Sequence, residues 1–210
     1  MAIILEKGQS ILIDKQPSIN RIDITFGWKS GKDVDFFAFL LGSNGIITND
    51  ADFVFYNSET RERPFIKEVF KNKRQWRATT RPMSADGSVL GPSEDNRLKI
   101  NEDQNDFDFE NMIINLNKVG PGITEIALCF AKYRGDIEDI HSSRICDPFI
   151  SITNLNTHQE ICRYDLNEII NSSMAVWAGS FIKDENGNWS FKAIGQTYPN
   201  GIQALINLFA

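Results

Sequence analysis

The sequence predicts an all-β protein: a β-sandwich with a few short helices, including a C-terminal amphipathic helix and a helical insertion. Three observations predict it. Arg21–Trp28 alternates polar and apolar residues, with Ile22, Ile24, Phe26 and Trp28 on one side, the two-residue period of a half-buried strand. Short β patterns then recur along the chain between turn residues, the spacing of a sandwich. Finally, Asp184–Asn188 reads DENGN between two such runs, and Asn-Gly accepts positive φ cheaply, so a hairpin is expected there.

The elements follow in order. Val34–Leu41 is a nearly continuous apolar run and reads as a more buried strand, ending at the turn Gly42-Ser43-Asn44-Gly45. Ile46–Thr48 leads into Asp50–Tyr56. Pro64–Arg77 has a helical pattern, with Pro at a first-turn position and Phe65, Val69 and Trp76 on one side. Further strands are expected at Met112–Leu116, Ile123–Ala131, Phe149–Thr153, Glu160–Tyr164, Ala175–Ile182 and Trp189–Ile194. Leu166–Ser172 reads as a brief helix that Asp165 caps. Ile202, Leu205, Ile206 and Phe209 repeat at i, i+3, i+4, i+7, the stripe of a helix that docks on the sandwich.

Composition limits what the chain can do. At 210 residues it is one domain, 1–210, long enough to bury a substantial core. The net charge of −6 argues against general nucleic-acid binding, which needs a basic patch. The opening MAIILEKGQS meets Glu6 and lacks the basic and long apolar regions of a signal peptide. No apolar run is long enough for a bilayer. Three cysteines, Cys129, Cys146 and Cys162, widely spaced and without CxxC, fit reduced thiols in a cytoplasm. Cys129 and Cys162 lie in apolar runs and read as core fillers.

The chemistry concentrates in Glu94–Glu110, EDNRLKINEDQNDFDFE, where seven of seventeen residues are carboxylates. Two unit charges about 4 Å apart repel by about 4 kcal/mol near a protein surface, so such a loop either stays solvated or is gathered by a cation. Asp106, Asp108 and Glu110 alternate with Phe107 and Phe109. On a strand the carboxylates would face one way and the two rings would face the core. That row would present oxygens to Ca²⁺, which takes about six to eight. Asp106 and Glu110 would stand roughly 13 Å apart on a straight strand, so either the chain curls or two ions share the row. From Asp106 there is no Gly at the sixth position and Asn117 stands at the twelfth, which excludes an EF-hand. Two more acidic pairs, Asp33/Asp35 and Asp50/Asp52, have the i, i+2 spacing of one strand face and could join the same site.

Signals for catalysis are sparse. His141 and His158 have no metal-ligand spacing, and there is no GxSxG, Walker loop or GxGxxG. A hydrolase using paired carboxylates is the alternative from another class, although nothing singles out one acid as acid or base.

Several stretches together resemble the TerD family of tellurium-resistance and general-stress proteins. They are ILEKGQSILIDK near the start, FGW at Phe26–Trp28, DVDFFAFLL at Asp33–Leu41, DADFVFYN at Asp50–Asn57 and SADGSV at Ser84–Val89. The later ones are Asp95-Asn96, ENMIINLNKV at Glu110–Val119, RYDL at Arg163–Leu166 and FKAIGQTYPNGI at Phe191–Ile202. The resemblance implies a calcium-binding β-sandwich without established catalysis, acting in a bacterial stress setting. Its partners would be other stress proteins, further copies of the chain, or a peripheral membrane surface. The implied metal set is Asp33, Asp35, Asp50, Asp52, Asp95, Asn96, Asp106, Asp108 and Glu110, for one or two Ca²⁺ ions. Relative to the family loop, the glycines are gone and Phe109 stands where an Asp would, which removes backbone freedom and charge. A site that is weakened, or lost in favour of a metal-free interaction module, is therefore the competing expectation.

Glu59–Arg81 lies outside the resemblance. It holds eight of the 22 basic residues, Arg61, Arg63, Lys67, Lys71, Lys73, Arg74, Arg77 and Arg81, against Glu59, Glu62 and Glu68. Two readings are open: a solvated helix packed through Phe65, Val69 and Trp76, or a basic arm that docks on an anionic surface.

Overall fold

The computed structural model describes residues 2–13, 19–29, 34–94, 107–132, 145–167 and 174–210. Two six-stranded sheets face each other. The strands are β1 Ile3–Leu5, β2 Ser10–Leu12, β3 Arg21–Lys29, β4 Val34–Gly42, β5 Phe53–Val54, β6 Val89–Glu94, β7 Phe107–Asn115, β8 Ile123–Lys132, β9 Cys146–Asn154, β10 Gln159–Asp165, β11 Ala175–Lys183 and β12 Trp189–Tyr198. The first sheet runs β1-β10-β9-β3-β7-β6 and the second β2-β12-β11-β8-β4-β5. Every pairing is antiparallel except β1 on β10.

The alternation in β3 does what its period requires. Ile22, Ile24, Phe26 and Trp28 enter the space between the sheets, where Phe26 stacks on Trp28, Phe36 and Phe130 at ring-centroid distances of 5.0, 5.7 and 4.5 Å. The same register carries the even positions of β7 into that space, because Ile22, Ile24, Phe26 and Trp28 pair with Ile114, Met112, Glu110 and Asp108. β4 is apolar on both faces. Its even positions join the inter-sheet core, while Phe37, Phe39 and Leu41 form a second cluster on the outer face with Cys129, Leu205 and Phe209. Helix α2, Ile202–Phe209, covers that cluster with the stripe read from the sequence. The expected hairpin is present: Gly187 has φ 84°, and Asp184 Oδ1 accepts the N–H groups of Asn186 and Asn188 at 2.9 and 2.8 Å.

The helical pattern at Pro64–Arg77 is corrected. Helix α1 covers only Lys73–Thr79, with the Asn72 side chain accepting Gln75 N–H at 2.8 Å as its cap. The Phe65 ring packs on Trp76 and on Phe70, at centroid distances of 5.9 and 6.4 Å. Residues five apart would sit about 140° apart around a helix, so bringing both rings to one cluster requires the non-helical path observed there. Val69, expected on the packed side, is exposed. Leu166 is buried and the remainder of the expected brief helix, from 168, lies outside the described residues. The fold also contains β1, β2 and β6, short strands that the sequence pattern did not mark.

Candidate functional site

The acidic row at the start of β7 faces opposite to the sequence expectation. Phe107 and Phe109 lie on the outer face of the first sheet, with centroids 6.1 and 6.4 Å from Phe149. Gly27 makes room for these rings, since a Cβ there would meet Phe149 at 2.6 Å and Phe109 at 3.0 Å. Lys29 Nζ sits 4.5 Å from the Phe107 ring and the Arg163 guanidinium 3.6 Å from that of Phe149. These cations over Phe107 and Phe149, with the packing of the three rings on one another, cover an aromatic cluster on the outer face. Asp108 and Glu110 therefore share the face of Met112 and Ile114 and turn inward between the sheets, both half-buried.

Glu110 is tied there. Its Oε2 accepts the Phe36 N–H at 2.8 Å, so a side chain of the first sheet holds a backbone group of the second. That N–H lies on the side of β4 where β5 pairs only with Ala38 and Phe39, beyond the end of its ladder. Phe36 is fully buried, so its N–H needs an acceptor. The β6–β7 register also sets Glu94 opposite Glu110.

The other expected ligands separate. Asp35 is on the outer face of the second sheet, in a cavity of about 380 Å³ with Phe53, Phe55, Lys132 and Ile202, away from the inward row of β7. Asp50 and Asp52 lie in a 3₁₀ turn, where Asp50 is exposed and Asp52 buried. Asp33, Asp95, Asn96 and Asp106 lie outside the described residues.

Asp52 gains a neighbour that sequence reasoning missed. Burial raises its carboxyl above the usual range, and the negative charge of Asp86 pushes the same way, against a 3.4 Å hydrogen bond from Thr48 Oγ1. Burial acts on Asp86 too, but hydrogen bonds outweigh it and hold that carboxyl below its ordinary value. Its donors are Ser84 Oγ at 2.7 Å and the N–H groups of Ser88 and Gly120, both at 2.8 Å. No described ion pair involves either acid. The signal was the Ser-Ala-Asp-Gly-Ser stretch, whose Asp between two serines and before Gly is built for such a turn. Among the described residues, no three of His, Cys, Asp and Glu converge closely enough to hold a metal ion.

Two of the three thiols lie in the core. Cys129 and Cys162 are fully buried, and burial pushes Cys129 well up and Cys162 up to about 12. Neither supplies a thiolate at neutral pH. Cys146 is exposed.

Comparison with known proteins adds the following. The TerD domain family model matches residues 1–209. Tellurium resistance protein TerD of Serratia marcescens is 28% identical over 212 residues, which cover 98% of this chain and 95% of that protein. General stress protein 16U of Bacillus subtilis (strain 168) is 28% identical over 210 residues, covering 96% and 94%. The crystal structure of a homologue of telluride resistance protein (TerD) from Streptomyces coelicolor A3(2) superposes with a TM-score of 0.58 over 89% of this chain and 95% of that one. At 12% identity that likeness speaks for the fold alone.

Proposed function

The chain belongs to the TerD domain family, and from that premise we propose that it is a stress-resistance protein that binds calcium and acts by binding or scaffolding, without catalysis. The stress role rests on its relatives, whose names are tellurium resistance and general stress proteins. The observation that carries calcium is the inward turn of the β7 acidic row. Asp108 and Glu110 are held between the sheets, Glu94 stands opposite Glu110 in the ladder, and Glu110 links the two sheets through Phe36. A divalent cation at the base of this row would offset the repulsion among its carboxylates. It would do so on the strand that joins the sheets, so occupancy and fold stability are coupled. Carboxylates are the oxygen donors that Ca²⁺ prefers.

The test is thermal melting in chelator and in millimolar Ca²⁺. A cation that binds only the folded form adds about 2.7 kcal/mol at a hundredfold excess over Kd. Asp108→Asn should abolish the shift. Equal melting temperatures in chelator and calcium would refute the reading. The second reading, a metal-free interaction module, has its own observation: one oxygen of Glu110 is already committed to Phe36 N–H. Partners under either reading are other stress proteins, further copies of the chain or a membrane surface. A cytoplasmic location is part of this reading, in keeping with three widely spaced cysteines and no CxxC. No helix among the described residues is long and apolar enough to cross a membrane.

A further inference from the structure

The basic segment Glu59–Arg81, which the TerD domain model matches along with the rest of the chain, walls a cavity. It has a volume of about 680 Å³ and lies between this segment and the β6–β7 edge of the first sheet. Arg61, Arg74, Arg77 and Arg81 line it, with Glu110 as the one acid among its lining residues. In a chain of net charge −6, four guanidinium groups on one cavity are a concentration that needs a reason.

Arg61 is the fixed element. It is buried, and its Nε donates to Thr80 Oγ1 at 2.9 Å and Thr80 O at 3.2 Å. Its Nη1 donates to the carbonyls of Tyr56 and Ser58 at 2.9 and 3.1 Å, and its Nη2 to those of Arg77 and Thr80. These contacts satisfy its N–H groups with carbonyl and hydroxyl oxygens, so Glu62 and Glu59 offset its charge only through space, without a hydrogen bond to it. Burial, and then the neighbouring guanidinium of Arg77, both disfavour that charge. Arg77 shares Glu59 with Lys73, so one carboxylate serves two cations. Arg77 Nε is buried with no hydrogen-bond partner among the described residues. Arg74 is exposed on α1 at the cavity and makes no described ion pair. The backbone contacts hold the wall in place, so the cationic surface is preformed.

We propose that this cavity binds a small molecule carrying two or more phosphate-type oxyanion groups. Guanidinium forks match phosphate oxygens two at a time, unlike ammonium groups. The volume falls in the range of small-molecule sites, about 300–1,000 Å³, and exceeds what one phosphate group needs. The inference rests on the arginines and not on calcium binding, although Glu110, one of the carboxylates assigned to calcium, borders the same cavity.

The test is calorimetric titration of the full chain with inorganic pyrophosphate in calcium-free, low-salt buffer, which separates this outcome from that of the calcium reading. Saturable one-to-one binding, at least about tenfold tighter than inorganic phosphate, is expected. Arg74→Glu should weaken it by at least about tenfold, the cost of one charge-assisted contact. Lys67→Glu, the same charge change on an exposed residue of the same segment away from the cavity, should leave it within about twofold. Arg74 is exposed, so its replacement should keep the wild-type melting temperature. Absence of saturable binding would overturn the proposal. So would equal losses in the two variants, or phosphate binding as tightly as pyrophosphate. Binding of anionic vesicles that pyrophosphate does not displace would make the segment a lipid contact and likewise overturn it.

Discussion

Replacing Glu110 by Ala and by Gln separates its two roles, as a charge and as a hydrogen-bond acceptor. Both replacements remove the charge and so relieve repulsion in the acidic row equally. Only Ala removes the acceptor of Phe36 N–H, a donor on a fully buried residue. An unsatisfied buried donor costs about 1–3 kcal/mol, whereas a neutral amide oxygen retains a bond worth about 0.5–1.5 kcal/mol. Without calcium, Glu110→Ala should therefore be about 1–2 kcal/mol less stable than Glu110→Gln. In a domain of this size that is about 2–8 °C in melting temperature. The assay is paired urea and thermal denaturation in chelator, with unchanged urea m-values confirming that both variants unfold from the same compact state. Equal stability of the two would refute the bridge between the sheets.

Asp52→Asn should stabilise the calcium-free protein at neutral pH, because burial and Asp86 raise the carboxyl of Asp52 in the fold. A folded-state value above the unfolded one means that the native protein binds the proton more tightly, so stability falls as pH rises through that range and recovers on acidification. The variant should lose this part of the pH dependence above about pH 4, and an unchanged pH profile would contradict the assignment. Gly27→Ala should destabilise by about 1–3 kcal/mol in chemical denaturation, since its Cβ would meet the Phe149 ring at 2.6 Å. A neutral result would mean the ring moves aside freely. Replacing all three cysteines by Ser or Ala in a variant that still folds should preserve any tellurite protection the protein gives in cells, with Cys129→Ala costing about 1 kcal/mol through its cavity. Lost protection with an intact melting curve would restore the thiols to the mechanism.

The sandwich was legible because its strands are amphipathic or wholly apolar, so β3, β4, β8 and α2 declare their buried faces. The short edge strands β1 and β2 were not, since three residues carry too little alternation to distinguish a strand from a loop. The facing of β7 was misread for a physical reason. Phenylalanine beside aspartate ordinarily marks the core side, but here Gly27, Lys29 and Arg163 make an outer surface fit for rings. That surface is assembled from β3 and β10, far away in sequence. Helix α1 was overextended because the contacts that bend the preceding residues, above all those of Arg61 and Trp76, join positions 13 to 19 apart. Within the candidate site, the acidic residues were visible as a composition, but register alone decided which of them turn inward. Asp86 escaped because its importance lies in three donors and a neighbour, Asp52, that only the fold supplies.

Calorimetric titration of Ca²⁺ into the chelator-treated protein bears most directly on the calcium reading, with Asp108→Asn as the paired variant. The account predicts saturable binding of one or two ions that the variant reduces or abolishes. No heat at millimolar calcium, or the same isotherm for the variant, would contradict it.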